Sequence, residues 1–96
     1  MQTNSVSDEL LSLRDQIDKI DDELLSVFAK RFEVTAIVGR LKAENSIDFL
    51  DNERERQKLI DLHVRAEEKG LSSEFVSNLF KVVFAEVVEN HQAYLE

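Results

Sequence analysis

A long stretch of helical hydrophobic spacing without a proline is the feature that most constrains how this chain can fold. From Leu13 to Leu41, apolar residues recur in steps of three and four, and Arg31 fills the single gap. The chain has no Pro and only two Gly, which favours long helices over a sheet with many tight turns. The spacing predicts a first helix from about Ser7 to Ala43. Its apolar positions are Leu13, Ile17, Ile20, Leu24, Val27, Val34, Val38 and Leu41.

A helix of this length is too long for the rest of its own chain to cover. About 36 residues extend roughly 54 Å at 1.5 Å per residue, and the whole chain has 96 residues. An amphipathic helix gains most of its stability by packing its apolar face against other elements. We therefore expect a second copy to cover it, in an intertwined homodimer. The alternative is a bend near Gly39 that shortens the rod.

Two shorter helices follow a polar loop. Asp51 suits the cap of the second helix, and Gly70 suits its end because Gly adopts the left-handed conformation at low cost. The third helix is expected to run from Ser72 or Ser73 to about Tyr94. The predicted fold class is therefore all-α, with three helices per chain, one long and two shorter, in an intertwined helical homodimer.

Length and composition exclude several classes of protein. We expect a single domain over residues 1–96, disordered or frayed over residues 1–6. The net charge of −8 disfavours nucleic-acid partners, and no apolar run approaches the ~20 residues that span a membrane. A polar start unlike a signal peptide and the absence of Cys suit the cytoplasm. Since His63 and His91 have no second His or Cys nearby, we expect no metal.

Two cations on the first helix point along one face. Arg31 and Lys42 are eleven residues apart, which separates them by about 20° in direction and ~16 Å in height. Their long side chains could converge on a small anion. Arg31 also interrupts the apolar stripe, so it must be paired, exposed at an edge, or functional. A salt bridge to a nearby Glu is the structural alternative.

Arg14 can join this pair only from another chain. It precedes Arg31 by 17 residues, which is about 25 Å along a straight helix and about 100° around it. In an antiparallel pair of long helices, however, Arg14 of one chain approaches Arg31 of the other. The result would be a composite site across a dimer interface.

The second helix opens with a mixed-charge run. Asp51, Arg54 and Glu55 lie within about one turn. Such runs are usually solvated faces with weak ion pairs. Spacing alone therefore leaves their role open.

Three segments, in order, resemble the all-α (AroQ-type) chorismate mutases. The family's first helix is similar to the segment LLSLRDQIDKIDDELLSVFAKRFEVTAIVGRLK. The shared pattern is L-R-x-x-I-D-x-I-D-x-x-L-L, then K-R, then V-G-x-x-K. The start of the family's second helix is similar to DNERERQKL, and its third helix is similar to GLSSEFVSNLFKVVFAEVVE. The match covers nearly the whole chain. It implies an isomerase that acts on the small molecule chorismate and yields prephenate, in the biosynthesis of Phe and Tyr.

The implied reaction is a concerted rearrangement without proton transfer, covalent intermediate or cofactor. The protein must select a compact conformer and stabilise negative charge that grows on the ether oxygen. The resemblance implies that the partner's Arg14, with Arg31 and Arg54, holds the two carboxylates. It implies that Lys42 donates to the ether oxygen and that Glu55 accepts from the hydroxyl. The implied remaining contacts are the backbone near Asp51 and apolar walls from Val38, Phe84 and Val88.

The third helix departs from the family pattern at two positions. Where the family commonly has Ser and, four residues later, Gln, this chain has Val87 and His91. Val cannot form a hydrogen bond, so one substrate contact is missing. His91 can donate from one ring nitrogen when neutral and from two when protonated. Alternatively, His91 lies on the outer face of a frayed last turn and takes no part.

These departures leave other activities of the same fold open. Isochorismate pyruvate lyases tolerate an apolar residue near Val87, and the substrate of a 4-amino-4-deoxychorismate mutase carries an ammonium that Glu55 could bind. Glu55 favours a mutase because it can bind a C4 hydroxyl. A third alternative is a non-catalytic regulatory module, against which the retained cations argue.

Overall fold

Three α-helices make up the described chain. A computed structural model describes the backbone of residues 2–95 and the side chains of residues 5–92. The helices are α1 (Gln2–Glu44), α2 (Asn52–Glu68) and α3 (Ser73–Leu95), and the described residues contain no strand. The predicted all-α fold of one long and two shorter helices is confirmed.

The long helix begins earlier than the sequence predicts. Its first residue is Gln2, so the predicted start at about Ser7 is wrong, and the helix includes residues 2–6. The disorder or fraying expected of residues 1–6 stays a prediction. Met1 lies outside the described residues. Polar residues such as Ser, Thr and Asn oppose a helix by only about 0.7 kcal/mol each or less, and neither Pro nor Gly intervenes here. α1 also continues through Gly39 for a further turn, so Gly39 does not end it.

The second helix ends in a Schellman motif. The N–H of Leu71 donates to the carbonyl of Ala66 at 2.8 Å, and the N–H of Gly70 donates to that of Glu67 at 3.1 Å. Gly70 has a φ of 72°, the left-handed conformation that Gly adopts without steric cost. The predicted end of the second helix at Gly70 is confirmed.

The first helix ends in the same motif without a glycine. The N–H of Ile47 donates to the carbonyl of Lys42 at 2.8 Å, and the N–H of Ser46 donates to that of Ala43 at 3.3 Å. Ser46 occupies the left-handed position with a φ of 54°. A residue with a Cβ is strained in this conformation, so the turn after α1 stores strain that the turn after α2 avoids.

Both shorter helices begin at side-chain caps. The Asp51 carboxylate accepts a hydrogen bond from the N–H of Arg54 at 3.0 Å, and the Ser72 hydroxyl accepts one from the N–H of Phe75 at 3.2 Å. Each cap satisfies one of the backbone donors that a helix start leaves without an intrahelical partner. The starts predicted from Asp51 and Ser72 are confirmed.

The chain divides into two compact units, and α1 contributes to both. In the unit Val34–Glu96, α2 packs against α3. Its buried apolar residues are Ala66, Val76 and Val83. They come from both helices, so this small core fixes the relative placement of α2 and α3.

The other unit, Met1–Glu33, consists of the first part of α1 and carries the predicted apolar stripe. Leu13, Ile17 and Leu24 are 47%, 55% and 51% exposed. The expectation of one domain over residues 1–96 stays a prediction, as does the homodimer. No helix among the described residues combines the length and the apolar character that crossing a membrane requires.

Candidate active site

Lys42, the predicted donor to the ether oxygen, lies in the last turn of α1. It is half-buried, and its Nζ donates a hydrogen bond to the backbone carbonyl of Phe49 at 3.4 Å. The same Nζ is 5.7 Å from the centroid of the Phe49 ring, within the range of a cation–π attraction. One loop residue therefore holds the ammonium group through both its carbonyl and its ring.

His91 is a buried residue near the end of α3. Only 8% of its surface is exposed, and its imidazole stacks on the Phe49 ring with centroids 3.7 Å apart and planes 9° apart. The alternative that His91 lies on the outer face of a frayed turn is therefore wrong. Both predicted catalytic nitrogen donors, Lys42 and His91, contact the same residue, Phe49.

Gly39 makes room for the His91 ring beside α1. A Cβ at Gly39 would lie 2.8 Å from Nδ1 of His91 and 3.6 Å from Cε2 of Phe49, and the first of these distances is shorter than a van der Waals contact. Gly inside a helix destabilises it by roughly 0.5–1 kcal/mol relative to Ala. Gly39 therefore lowers the stability of the helix, but its missing Cβ allows the imidazole to approach the backbone of α1 closely.

The Nδ1 atom of His91 is buried without a hydrogen-bond partner among the described residues. A buried polar atom without a partner costs about 1–3 kcal/mol, and an orphaned donor is rarer in proteins than an under-satisfied acceptor. Of the two neutral tautomers, this environment favours the one in which Nε2 carries the proton and Nδ1 is only an acceptor. His91 then has one N–H donor, at the ring nitrogen that does not face Gly39.

The start of α2 carries the predicted residues Asp51, Arg54 and Glu55. The Asp51 carboxylate serves as the helix cap. Arg54 is exposed, Glu55 is half-buried, and neither takes part in an ion pair within the part of the chain that the structure describes. The ion pair in this turn joins Arg56 to Glu53 at 2.6 Å, and the hydrogen bond to the Glu53 carboxylate raises the pKa of Arg56. Arg54 and Glu55 are thus available to a ligand.

Arg14 and Arg31 both belong to the unit formed by the first part of α1. Arg14 is exposed and Arg31 is half-buried. Loss of hydration lowers the pKa of the Arg31 guanidinium, which nevertheless keeps its charge at neutral pH. A cation that has already lost part of its hydration pays less to bind a carboxylate. The joint action of Arg14 and Arg31 at one site stays a prediction.

The predicted apolar walls come from α1 and α3. Val38 on α1 is 41% exposed, whereas Phe84, Val87 and Val88 on α3 are half-buried. Val87 and His91 are four residues apart and therefore share a face of α3. This face offers one hydrogen-bonding side chain where the family pattern offers two.

Phe49 and Gly39 lie against His91, although the sequence does not predict these contacts. Phe49 is an aromatic residue in an otherwise mostly polar loop, and Gly39 is an isolated Gly inside a helical pattern. An isolated Gly in a helix often has a packing reason. Neither signal says which residue lies opposite, because the contact joins segments far apart in the chain.

Comparison with known proteins identifies the family. Residues 13–92 match the family described as chorismate mutase type II. The T-protein of Haemophilus influenzae is 30% identical over 90 residues, which are 94% of this chain and 24% of that protein. The T-protein of Enterobacter agglomerans is 36% identical over 78 residues, 81% of this chain and 21% of that protein. The bifunctional chorismate mutase/prephenate dehydratase of Escherichia coli K12 is 31% identical over 87 residues, which are 91% of this chain and 22% of that protein.

These relatives are much longer than this chain. The chain spans about a quarter or less of the length of the curated relatives it matches. The family match begins in α1 and ends in α3, so it runs through all three helices. With a match over residues 13–92, well over half of its length, the chain belongs to the type II chorismate mutase family.

Proposed function

We propose that this protein is a chorismate mutase, which converts chorismate to prephenate by an intramolecular Claisen rearrangement in the biosynthesis of Phe and Tyr. Membership of the type II family supports this activity. The observation that carries the proposal is the placement of two nitrogen donors against one residue. Lys42 Nζ and the His91 ring lie 5.7 Å and 3.7 Å from the centroid of the Phe49 ring.

The chemistry requires little beyond such donors. The ether C–O bond breaks while a C–C bond forms within the same molecule, and no proton, electron or cofactor is exchanged. Negative charge grows on the ether oxygen, which the Lys42 ammonium and the His91 N–H would stabilise. One preorganised donor in such a position accelerates a reaction by about 10²–10³. A site with two nitrogen donors fits this reaction.

Three Arg side chains would bind the carboxylates of the substrate. Arg31 and Arg54 would come from one chain and Arg14 from its partner, and each can hold a carboxylate with two parallel hydrogen bonds. The partial dehydration of Arg31 and the absence of an ion pair at Arg54 among the described residues support these roles. Glu55 would accept a hydrogen bond from the substrate hydroxyl, assisted by the backbone near Asp51.

The proposed enzyme is an intertwined homodimer. Along α1, Leu13, Ile17, Ile20 and Leu24 alternate in steps of four and three, the spacing of helices that pack in a coiled coil, and each is 47% to 55% exposed. A second copy of α1 would cover this stripe and bring its Arg14 to the first copy's site. Location in the cytoplasm stays a prediction that rests on the cysteine-free composition.

A 4-amino-4-deoxychorismate mutase is the second candidate. Glu55 is half-buried and has no ion-pair partner among the described residues, so its carboxylate could bind a C4 ammonium as readily as a hydroxyl. The third candidate, an isochorismate pyruvate lyase, draws support only from the apolar Val87. A direct comparison of the three substrates must decide between these activities.

A substrate panel tests the proposal directly. The purified protein is incubated with chorismate, 4-amino-4-deoxychorismate and isochorismate in turn, and the products are separated chromatographically. We expect prephenate from chorismate at a kcat/KM at least about tenfold above that for either other substrate. Faster turnover of another substrate would reassign the enzyme. Turnover of none would favour the non-catalytic module.

A further inference from the structure

Phe49 contacts two of the proposed catalytic side chains and is itself held in place. Its loop is tied to α1 by the hydrogen bond from the Ile47 N–H to the carbonyl of Lys42, at 2.8 Å. On the other side, the Asp48 carboxylate accepts from the N–H of Leu50 at 3.1 Å. Phe49 therefore lies between two anchored neighbours, which restrain its backbone.

The His91 ring is confined on a face and on an edge. Phe49 covers one face at a centroid distance of 3.7 Å, and the backbone at Gly39 lies against the Nδ1 edge. Rotation of the imidazole about its Cβ–Cγ bond would break the parallel stack or press the ring against α1. Loss of the Phe49 ring would remove the stacking contact that resists this rotation.

We propose that Phe49 is a positioning residue: its ring fixes the orientation of the His91 imidazole so that the Nε2 donor points at the reacting ether oxygen. The proposal rests on the proposed function, because it requires His91 to act as a donor. Phe49 does not touch the substrate in this role. Its backbone carbonyl, which binds Lys42, belongs to any residue at this position, so substitution of the side chain separates the effect of the ring from that of the carbonyl.

The first test reads the ring contact without any substrate. The chain has only two His, and His63 is exposed and bridged to Glu67, so its proton NMR signals are an internal reference. Protons that face an aromatic ring are shielded, and the ring signals of His91 should therefore lie upfield of those of His63. Phe49→Leu should move the His91 signals toward the His63 positions, while Phe49→Tyr should leave them in place. His91 signals that do not move in Phe49→Leu would overturn the proposal.

The second test reads the effect on turnover. A misplacement of a reacting group by about 1 Å can cost about 10²-fold in rate, so we expect Phe49→Leu to lower kcat about tenfold or more and to change KM less than about threefold. Phe49→Tyr keeps the stack and should restore kcat to within about threefold of the starting enzyme. Phe75→Leu is the matched control: Phe75 is exposed on α3, ~24 Å before His91 along the helix, and the variant should keep full kcat.

The third test asks whether Phe49 acts through His91. Gln donates from a flexible amide and does not depend on stacking, so Phe49→Leu should lower kcat by less than about twofold in a His91→Gln background. An equal loss in both backgrounds would show that Phe49 acts on folding or on another group, and would overturn the proposal. If no substrate is turned over, the proposed function fails. The NMR comparison would still decide separately whether Phe49 fixes the His91 ring.

Discussion

Nδ1 of His91 lies 2.8 Å from the point at which Gly39 would carry a Cβ. The backbone of α1 and a ring from α3 thus approach each other at a position where only Gly fits without a shift. Phe49, from the loop between α1 and α2, closes the other side of the same ring. Three segments of the chain meet at one imidazole and restrict its orientation.

Gly39→Ala tests the close contact between Gly39 and His91, because the variant has two effects of opposite sign on the free energy of unfolding. Helix propensity alone would stabilise the variant by roughly 0.5–1 kcal/mol. Overpacking a buried contact typically destabilises by about 1–3 kcal/mol, and His91 is only 8% exposed, so its ring has little room to move. We expect a net loss of about 1 kcal/mol in urea unfolding at fixed protein concentration, together with a lower kcat.

A second variant separates the two effects of Gly39→Ala. In a His91→Ala background the obstructing ring is absent, and Gly39→Ala should then stabilise the protein by roughly 0.5–1 kcal/mol. If Gly39→Ala is stabilising in the presence of His91, the ring does not lie where the structure places it.

The boundaries of α2 and α3 could be predicted because their signals are local. Asp51 and Ser72 each bind a backbone N–H three residues ahead, and Gly70 acts through its own φ. The start of α1 could not be predicted in the same way. The polar residues around Ser7 oppose a helix too weakly to stop one that is already formed.

The candidate site could be predicted only in part. The resemblance supplies Lys42 and His91 as donors, and the structure brings both to Phe49. Phe49 and Gly39 themselves could not be found, because their contacts depend on how α1, the loop and α3 pack. Contacts between segments far apart in the chain leave no periodic pattern in the sequence by which they could be predicted. The catalytic roles of Lys42 and His91 stay predictions, as do the roles of Arg14, Arg31, Arg54 and Glu55.

Ser46 offers a stabilising substitution. It occupies the left-handed position after α1 with a φ of 54°, where Gly would carry no steric strain. The gain is partly offset by the greater freedom of Gly in the unfolded chain. We expect Ser46→Gly to raise the free energy of unfolding by about 0.5–1 kcal/mol. The reverse change, Gly70→Ala at a φ of 72° with open space around it, should lower it by about 1 kcal/mol, and the same sign for both variants would contradict the argument.

Lys42 should dominate the stabilisation of the developing charge. Lys42→Ala removes a preorganised donor and should lower kcat by about 10²-fold or more. Lys42→Gln keeps a donor but loses the charge, so its kcat should fall between those of Lys42→Ala and the unmodified enzyme. Lys19→Ala serves as the control, because Lys19 is 74% exposed and forms an i,i+4 pair with Asp15 that is worth only a few tenths of a kcal/mol. Near-normal turnover by Lys42→Ala would remove Lys42 from the mechanism.

Ile17 tests whether the apolar stripe of α1 is a dimer interface. Sedimentation at micromolar concentration should give a mass near twice 11.1 kDa for the unmodified protein. Ile17→Glu would bury an unpaired carboxylate in that interface, so we expect dissociation and loss of helical signal. Gln16→Glu adds the same charge one residue off the stripe and should leave the dimer intact. A folded, active monomer in either sample would rule out the interface.

Arg14 and Arg31 allow a complementation test of the shared site. In an antiparallel dimer, one site takes Arg14 from one chain and Arg31 from the other. Arg14→Ala and Arg31→Ala homodimers should each be nearly inactive, because every site lacks a carboxylate ligand. In a heterodimer of the two variants, one site contains both intact Arg residues while the other carries both lesions. After random exchange at equal concentrations, half of the dimers are mixed, so about a quarter of the unmodified activity should return.

The control for complementation mixes two variants whose substituted residues are both supplied to a site by the same chain. Arg31 and Lys42 are proposed to serve one site from one chain, so a mixed dimer of Arg31→Ala and Lys42→Ala has one lesion in each site and should recover little activity. Chain exchange is verified by mass spectrometry of the mixed dimer. If exchange is complete and the Arg14 mixture gains no more activity than this control, then Arg14 does not act across the interface, and the site must be assembled differently.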